Sequence, residues 1–148
     1  MTLKGGVFLG EKTIYHSHSV ADTERYGEQL ASELRGGTVV ALFGGLGMGK
    51  TAMVRGIARG MQLSAEVSSP TFALVHDYGG TPPLVHFDMY RVSGWEDLYS
   101  TGFFDYLDAG AILVVEWSEN IEGALPADAV RICLSATSDG GRLIEREG

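Results

Sequence analysis

Residues 38–61 of the chain, TVVALFGGLGMGKTAMVRGIARGM, decide its fold. They begin with a short apolar run that contains β-branched residues, at 38–43, which predicts a buried central strand. A glycine-rich turn follows, and from 49 to 61 apolar residues recur at helical spacing. A buried strand, a tight turn and an amphipathic helix in this order predict one unit of an α/β fold.

The turn between this strand and this helix matches G-x-x-x-x-G-K-[ST], the pattern of a phosphate-binding loop. Its glycines let backbone amides approach phosphate oxygens, and the N-terminus of the following helix favours an anion. Lys50 adds a positive charge at the outer phosphates, and Thr51 offers a hydroxyl to Mg²⁺. We therefore expect the chain to bind ATP with Mg²⁺ through Gly44, Gly45, Leu46, Gly47, Met48, Gly49, Lys50 and Thr51. The alternative is a glycine-rich turn with an incidental lysine.

The rest of the chain alternates predicted strands and helices. Ser19 and Asp22 resemble a capping box at the start of a helix, which Gly36 and Gly37 are expected to end. The predicted strands are an edge strand at 12–18, an antiparallel pair at 72–78 and 84–88, a buried strand at 111–116 and a final pair at 130–134 and 142–147. Short helices are expected within 95–107. These elements predict a single α/β domain over 1–148, with a P-loop NTPase-like three-layer fold, a mixed, largely parallel central sheet and a loose leader at 1–11.

Two acidic residues end predicted strands, as the second anchor of a phosphate-bound Mg²⁺ usually does. Asp88 ends the strand at 84–88, and Glu116 ends the strand at 111–116. If both strands run parallel to the first strand, both carboxylates lie at the edge where α/β folds bind ligands. The antiparallel pair would bring Thr71 to the same edge, where it could respond to the γ-phosphate or the metal. The alternatives are a turn-capping role for Asp88, a surface position for Glu116 and a plain loop around Thr71.

The cysteine and histidine positions suggest structural roles. Cys133 is the single cysteine, which excludes an internal disulfide, and its apolar surroundings predict a small core residue. His16 and His18 share a strand face but have no nearby cysteine, so they make a weak case for a metal site. We expect His76 and His86 to pack within the predicted antiparallel pair.

Composition and charge limit the classes of function. The 148 residues are 45% hydrophobic and carry a net charge of −8, a globular balance that is poorly suited to gripping nucleic acid directly. The longest apolar runs are too short to cross a bilayer, and the N-terminus lacks the pattern of a signal peptide. We expect a cytoplasmic protein without membrane contact, and a monomeric free chain.

Four motifs in fixed order resemble one known family. They are GMGKT at 47–51, SPTF at 69–72, HFDMYR at 86–91 and VEW at 115–117. This string resembles the bacterial TsaE (YjeE) family, small P-loop ATPases of tRNA threonylcarbamoyladenosine biosynthesis. The resemblance covers roughly residues 19–134 and leaves the hairpin around 139–141 outside it. It departs from many relatives at Gly45, where they carry an acidic residue, and at Met48, where they carry alanine.

The resemblance implies a weak ATPase that supports a heterodimer of the TsaD–TsaB type and meets tRNA only through that complex. It implies phosphate and Mg²⁺ roles for Lys50 and Thr51, a Mg²⁺-linked role for Asp88, a role in hydrolysis for Glu116 and a switch role for Thr71. The expected catalytic residues are thus Glu116, Lys50 and Asp88, and the expected Mg²⁺ ligands are Thr51, Asp88 and Glu116. Two rival functions share the phosphate-binding loop: a small-molecule kinase, and an adaptor that binds ATP without hydrolysing it.

Overall fold

The structure is a computed structural model and describes residues 12–45, 47–64 and 75–148. Seven strands of these ranges form one sheet with the order β1-β7-β6-β2-β5-β4-β3. The strands are β1 Lys12–Ser17, β2 Val39–Phe43, β3 Val75–Gly80, β4 Pro83–Asp88, β5 Ile112–Glu116, β6 Val130–Ala136 and β7 Arg142–Glu147. The helices are α1 Val20–Ala31, α2 Lys50–Gly60, α3 Trp95–Ser100, α4 Phe103–Asp108 and a 3-10 helix at Ser118–Ala124.

The centre of the sheet is parallel and its margins are antiparallel. β2 pairs in parallel with β5 on one side and with β6 on the other, and β5 pairs in parallel with β4. β3 adds to one margin and β7 and β1 to the other, all through antiparallel pairing. The predicted mixed α/β sheet is confirmed, with the parallel part confined to β6, β2, β5 and β4. The carboxyl ends of these four strands meet at one edge.

Helices cover both faces of this sheet. Side chains of a strand alternate between the two faces, so the central strand β2 contributes to an apolar core on each face. Val40 and Leu42 join the apolar core beneath α1 and α2. Val39 belongs to a second core, on the opposite face, which contains Leu98 of α3 and Phe103 of α4. The predicted three-layer arrangement is therefore confirmed.

Helices α1 and α2 pack unusually closely, and this contact positions the beginning of α2. A Cβ atom on Gly56 would lie 2.1 Å from the carbonyl oxygen of Glu24, and one on Gly27 would lie 2.5 Å from the carbonyl oxygen of Met53. Arg55 of α2 adds an ion pair to Glu24, with 2.6 Å between Nη1 and Oε2. Both glycines are thus required by the spacing of the helices.

The predicted start of α1 is confirmed, and its predicted end is wrong. The Ser19 hydroxyl accepts a hydrogen bond from the Asp22 amide at 3.0 Å, and the Asp22 carboxylate accepts from the His18 amide at 2.9 Å. The helix ends at Ala31 with Ser32 as its C-cap, before the glycine pair at 36–37. The Ser32 hydroxyl bonds back to the Gln29 carbonyl, a local bond that satisfies the end of the helix without a glycine.

The predicted burial of Cys133 is also wrong, since its thiol is exposed. Its neighbours Val130, Ile132 and Leu134 are buried, and strand alternation turns Cys133 to the other face of β6. Within the described ranges, no helix combines the length and apolar character needed to span a membrane.

Candidate nucleotide-binding site

The glycine-rich loop joins the carboxyl end of β2 to the first turn of α2. Gly44 has φ of 142° and Gly49, the N-cap of α2, has φ of 105°, both conformations that side chains disfavour. A Cβ on Gly44 would also lie 2.7 Å from the Leu134 carbonyl oxygen. Around Gly45 and Gly47, by contrast, an added Cβ would meet no atom of the described residues within 4 Å. The loop backbone therefore faces open space at the N-terminus of an eleven-residue helix.

Lys50 is the first residue of α2 and turns inward, beneath the loop. It is only 8% exposed, and its Nζ lies 3.3 Å from Glu116 Oε1. The same ammonium lies 5.4 Å from the centre of the Trp117 ring, within range of a cation–π contact. Thr51 follows on the first turn of the helix and is half-buried. A cavity of about 290 Å³ opens here, lined by Leu42, Phe43, Gly44, Gly45, Lys50, Trp117 and Glu119.

The two predicted acidic residues lie side by side. Asp88 is opposite Glu116 in the parallel pairing of β4 and β5, and Leu42 of β2 is opposite Glu116 on its other side. Both carboxylates thus reach the carboxyl edge next to the glycine-rich loop. Asp88 Oδ1 also accepts a hydrogen bond from the Tyr90 amide at 3.0 Å, so Asp88 caps the next turn as well.

A buried histidine completes the cluster around Glu116. The sequence predicted only that this histidine packs within the β3–β4 pair. His86 is fully buried, and its Nε2 lies 2.6 Å from Glu116 Oε2, across to the neighbouring strand β5. Its Nδ1 is buried without a hydrogen-bond partner in the described part of the chain. Residues 84, 86 and 88 alternate onto the face that carries Glu116, and this spacing was the signal that could have revealed the contact.

Glu116 is the electrostatic centre of this cluster. Burial raises the pKa of its carboxyl group, but the hydrogen bond from His86 and the charges of His86 and Lys50 outweigh burial and lower the pKa below its ordinary value. Glu116 is only 7% exposed, so the predicted alternative of a surface acid is wrong. The carboxylate is held in its charged form at a position where each oxygen has a cationic or hydrogen-bonding neighbour.

Trp117 and Arg142 define the margins of the site. Trp117 has φ of 60°, a left-handed backbone conformation that is costly for a large side chain and that occurs most often at functional sites. Its ring lines the cavity and meets the Tyr90 ring edge-on, with 5.0 Å between the two ring centres. On the other side, Arg142 at the start of β7 donates from Nη2 to the Gly47 carbonyl at 3.0 Å. Arg142 was not among the residues predicted to contact the loop.

The residues present fit a phosphate chain with a divalent cation. The open glycine backbone and the helix N-terminus suit phosphate oxygens, and the Thr51 hydroxyl with the Asp88 carboxylate is an oxygen donor set of the kind that Mg²⁺ prefers. Glu116, the third predicted Mg²⁺ ligand, has its two oxygens directed to Lys50 and His86. Leu46 and Thr71, two further predicted contacts, lie outside the described residues.

One known protein family matches most of the chain. The family described as "Threonylcarbamoyl adenosine biosynthesis protein TsaE" matches residues 17–144. The chain belongs to the TsaE family. The match begins at the end of β1 and extends into β7, so it includes the hairpin around 139–141 that the sequence analysis left outside the resemblance.

Individual TsaE relatives cover most of the chain. A tRNA threonylcarbamoyladenosine biosynthesis protein TsaE from Treponema pallidum is 38% identical over 128 residues, which are 86% of this chain and 95% of that protein. The protein of the same name from Bacillus subtilis is 32% identical over 124 residues, 83% of this chain and 77% of the relative. The crystal structure of Bacillus subtilis YdiB superposes with a TM-score of 0.80 at 26% identity, covering 94% of this chain and 86% of YdiB. The TsaE fold and the link of this family to tRNA threonylcarbamoyladenosine biosynthesis are thereby established.

Proposed function

We propose that this TsaE-family chain is a Mg²⁺-dependent ATPase that supports threonylcarbamoyl modification of a tRNA adenosine next to the anticodon. The observation that carries the proposal is the buried Lys50–Glu116–His86 cluster directly beneath the glycine-rich loop. A loop that only linked two elements would have no need for a buried lysine paired with a carboxylate of reduced pKa.

The phosphate-binding residues act through charge and position. The loop amides and Lys50 would hold the β- and γ-phosphates of ATP, and the Thr51 hydroxyl and the Asp88 carboxylate would hold the ion. Mg²⁺, when bound, would neutralise charge that builds up on the phosphate oxygens. Water attacks the γ-phosphorus, the bond from that phosphorus to the β–γ bridging oxygen breaks, and ADP, phosphate and a proton leave.

Glu116 is placed to orient the attacking water. Phosphate oxygens would compete with Glu116 Oε1 for Lys50 Nζ, since the lysine lies 3.3 Å away and its charge can be shared. His86 would still hold Oε2, so Oε1 would be left to accept a hydrogen bond from water. The reduced pKa of Glu116 makes it an orienting group rather than a strong proton acceptor. Slow turnover by the chain alone is the expected result.

The proposed partner is a heterodimer of the TsaD–TsaB type, which would perform the transfer to tRNA while this chain supports turnover of the complex. The net charge of −8 disfavours direct gripping of the tRNA backbone, so tRNA would be met through the complex. We propose that the chain acts in the cytoplasm together with this complex.

The test measures phosphate release from Mg-ATP by the chain alone, and then with a TsaD–TsaB pair and tRNA. We expect slow release alone and clear stimulation by the pair. Lys50→Ala should reduce ATP binding and turnover on the order of 10²-fold, because a central cation at the phosphates is lost. Lys12→Ala is the matched control, since Lys12 is an exposed lysine that pairs with Glu145 on the outer strands.

The other outcomes would each overturn a defined part of the proposal. Near-normal turnover in Lys50→Ala would reject the site. Transfer of phosphate to an added small-molecule acceptor would reveal a kinase. Unchanged support of tRNA modification by a variant that binds ATP but does not hydrolyse it would reveal an adaptor.

A further inference from the structure

Three potential metal ligands meet on the outer side of the sheet, away from Glu116. His16 lies in β1 and His18 directly follows the strand, two residues further on, so their side chains lie on the same side with their rings in contact. β7 pairs with β1, which brings the β6–β7 turn and its Asp139 next to both histidines. Of the four histidines of the chain, two are therefore in one place beside a carboxylate.

The ligand atoms already have nearly the spacing of a metal site. One nitrogen of each histidine and one oxygen of Asp139 lie within 4.8 Å of one another. His16 Nε2 lies 3.4 Å from Asp139 Oδ2. Two ligands at bond lengths of about 2.1 Å in a tetrahedral site are about 3.4 Å apart, so this pair needs no movement to share an ion. The His16 and His18 rings are tilted by 35° to each other, with 4.3 Å between their centres, and a side-chain rotation at His18 would complete the set.

Asp139 is held in place and in its charged form. Its Oδ1 accepts hydrogen bonds from the Thr137 hydroxyl and from the Gly141 amide, which closes the turn and leaves Oδ2 directed towards His16. Hydrogen bonds from Thr137 and Gly141, helped by the nearby His16, lower the pKa of Asp139 to about 2. The carboxylate is therefore already deprotonated at neutral pH, as a metal ligand must be.

The donor set selects the kind of ion. Two imidazole nitrogens and one carboxylate oxygen suit Zn²⁺ and similar divalent transition metals, whereas Mg²⁺ and Ca²⁺ prefer oxygen ligands alone. We propose that His16, His18 and Asp139 bind a divalent transition-metal ion, Zn²⁺ by preference, with water at the open positions. The side chains of His16 and Asp139 are 40% and 53% exposed, so an ion can enter from solvent.

An ion at this site would join β1 to the turn that supports the phosphate-binding loop. Arg142 follows the turn directly, and its guanidinium bonds both to the Gly141 carbonyl at 2.8 Å and to the Gly47 carbonyl of the loop at 3.0 Å. The site nevertheless stands on its own geometry and does not depend on the proposed ATPase activity.

The experiment is a calorimetric titration of the untagged chain with ZnCl₂ in the absence of nucleotide. It is done in the Cys133→Ser background, because an exposed thiol also binds Zn²⁺. We expect saturable binding of one ion per chain that a large excess of Mg²⁺ does not abolish. His16→Gln, His18→Gln and Asp139→Asn should each weaken binding roughly 10- to 100-fold or more, since even the loss of an outer-shell partner costs that much.

The variants are chosen so that a loss of binding reports on the ligands. Asp139→Asn keeps an oxygen that can accept from the Gly141 amide, so the turn should persist, and all three side chains are exposed. His76→Gln is the matched control, because His76 contacts Tyr78 in β3, far from β1 in the strand order. A second measurement follows the melting temperature, which Zn²⁺ should raise in the parent and not in His16→Gln. The absence of saturable binding, or equal binding by the parent and the ligand variants, would overturn the proposal.

Discussion

At the scale of single residues, the arrangement around Glu116 explains how one carboxylate can serve the proposed chemistry. One of its oxygens lies 3.3 Å from Lys50 Nζ and the other 2.6 Å from His86 Nε2. A carboxylate that is buried to this degree would be unstable without such partners, because removing a charge from water is costly. The two partners therefore keep Glu116 ionised and fix the direction of its oxygens.

Replacing Glu116 by glutamine should separate ATP binding from hydrolysis. Glu116→Gln keeps the size of the side chain but removes the charge that would orient water, so hydrolysis should fall roughly 10²-fold or more while ATP still binds. Phosphate release and nucleotide affinity are measured side by side. Glu119→Gln is the control, since Glu119 lines the same cavity. Hydrolysis near the parent rate in Glu116→Gln would contradict its role.

His86 should act as a positioning residue through Glu116. His86→Leu removes the hydrogen bond to Glu116 Oε2, so kcat should fall while KM for ATP changes little. His86→Gln can still donate a hydrogen bond from its amide and should recover part of the rate. Steady-state kinetics of the two variants check this expectation. A rise in KM with kcat unchanged, or equal losses in both variants, would speak against positioning.

The reduced pKa of Glu116 also predicts how stability depends on pH. A carboxyl group whose pKa is lower in the folded state than in the unfolded chain stabilises the fold above its ordinary pKa of 4.5. That contribution disappears as the pH falls below 4.5 and through the folded-state value. Urea unfolding across acidic pH should therefore show a steeper loss for the parent than for Glu116→Gln. Identical slopes in the two proteins would show that the pKa of Glu116 is not lowered by folding.

At the scale of secondary-structure elements, the contact between α1 and α2 sets where the glycine-rich loop ends. The two helices approach so closely that Gly27 and Gly56 have no room for a side chain. Arg55 and Arg59 of α2 both pair with Glu24 of α1, which fixes the register of the helices. The first turn of α2, with Lys50, is thereby held against the sheet.

Gly56→Ala should destabilise the protein in spite of the better helix propensity of alanine. The added Cβ would lie 2.1 Å from the Glu24 carbonyl oxygen, and such overpacking costs about 1–3 kcal/mol, against a gain of at most about 1 kcal/mol from propensity. The free energy of unfolding in urea measures the balance. Gly123→Ala is the matched control, since its Cβ would meet nothing within 4 Å. A stabilised Gly56→Ala variant would mean that the helices can separate at little cost.

Elements that are determined by residues close together in the chain could be predicted well from the sequence. The cap at Ser19 and the buried strand before Gly44 depend on neighbouring residues and were confirmed. The end of α1 was misplaced because the Ser32 hydroxyl caps the helix, a choice that propensity alone does not reveal. The exposure of Cys133 was missed for a different reason: an apolar stretch does not show which face of a strand is covered.

At the scale of the whole molecule, the last strand reaches back to the glycine-rich loop. Arg142 lies 95 residues after Gly47 in the chain, and its guanidinium nevertheless donates to the Gly47 carbonyl at 3.0 Å. The antiparallel β6–β7 pair, which the family match covers as far as the start of β7, brings the arginine there. The outer part of the sheet therefore helps to shape the loop.

Removing the hydrogen bond from Arg142 to Gly47 should lower the affinity for ATP more than it lowers the free energy of unfolding. Arg142→Ala leaves the Gly47 carbonyl without its guanidinium partner, so the loop should sample more conformations and bind ATP less tightly. ATP affinity by calorimetry and urea unfolding are measured together. Arg131→Ala is the control, because Arg131 is bonded to Glu122 in the 3-10 helix. Unchanged ATP affinity in Arg142→Ala would show that the loop holds its shape alone.

The sequence by itself determined the glycine-rich loop, the alternating elements around it and the two strand-ending acids Asp88 and Glu116. Short-range sequence patterns specify these features. The physical basis of the patterns is backbone freedom at glycine and the periodic burial of apolar side chains. Only the tertiary structure decided that His86 meets Glu116, that Arg142 holds Gly47 and that Asp139 stands beside His16 and His18. Those contacts join residues far apart in the chain, and they depend on strand order and register, which no local pattern specifies.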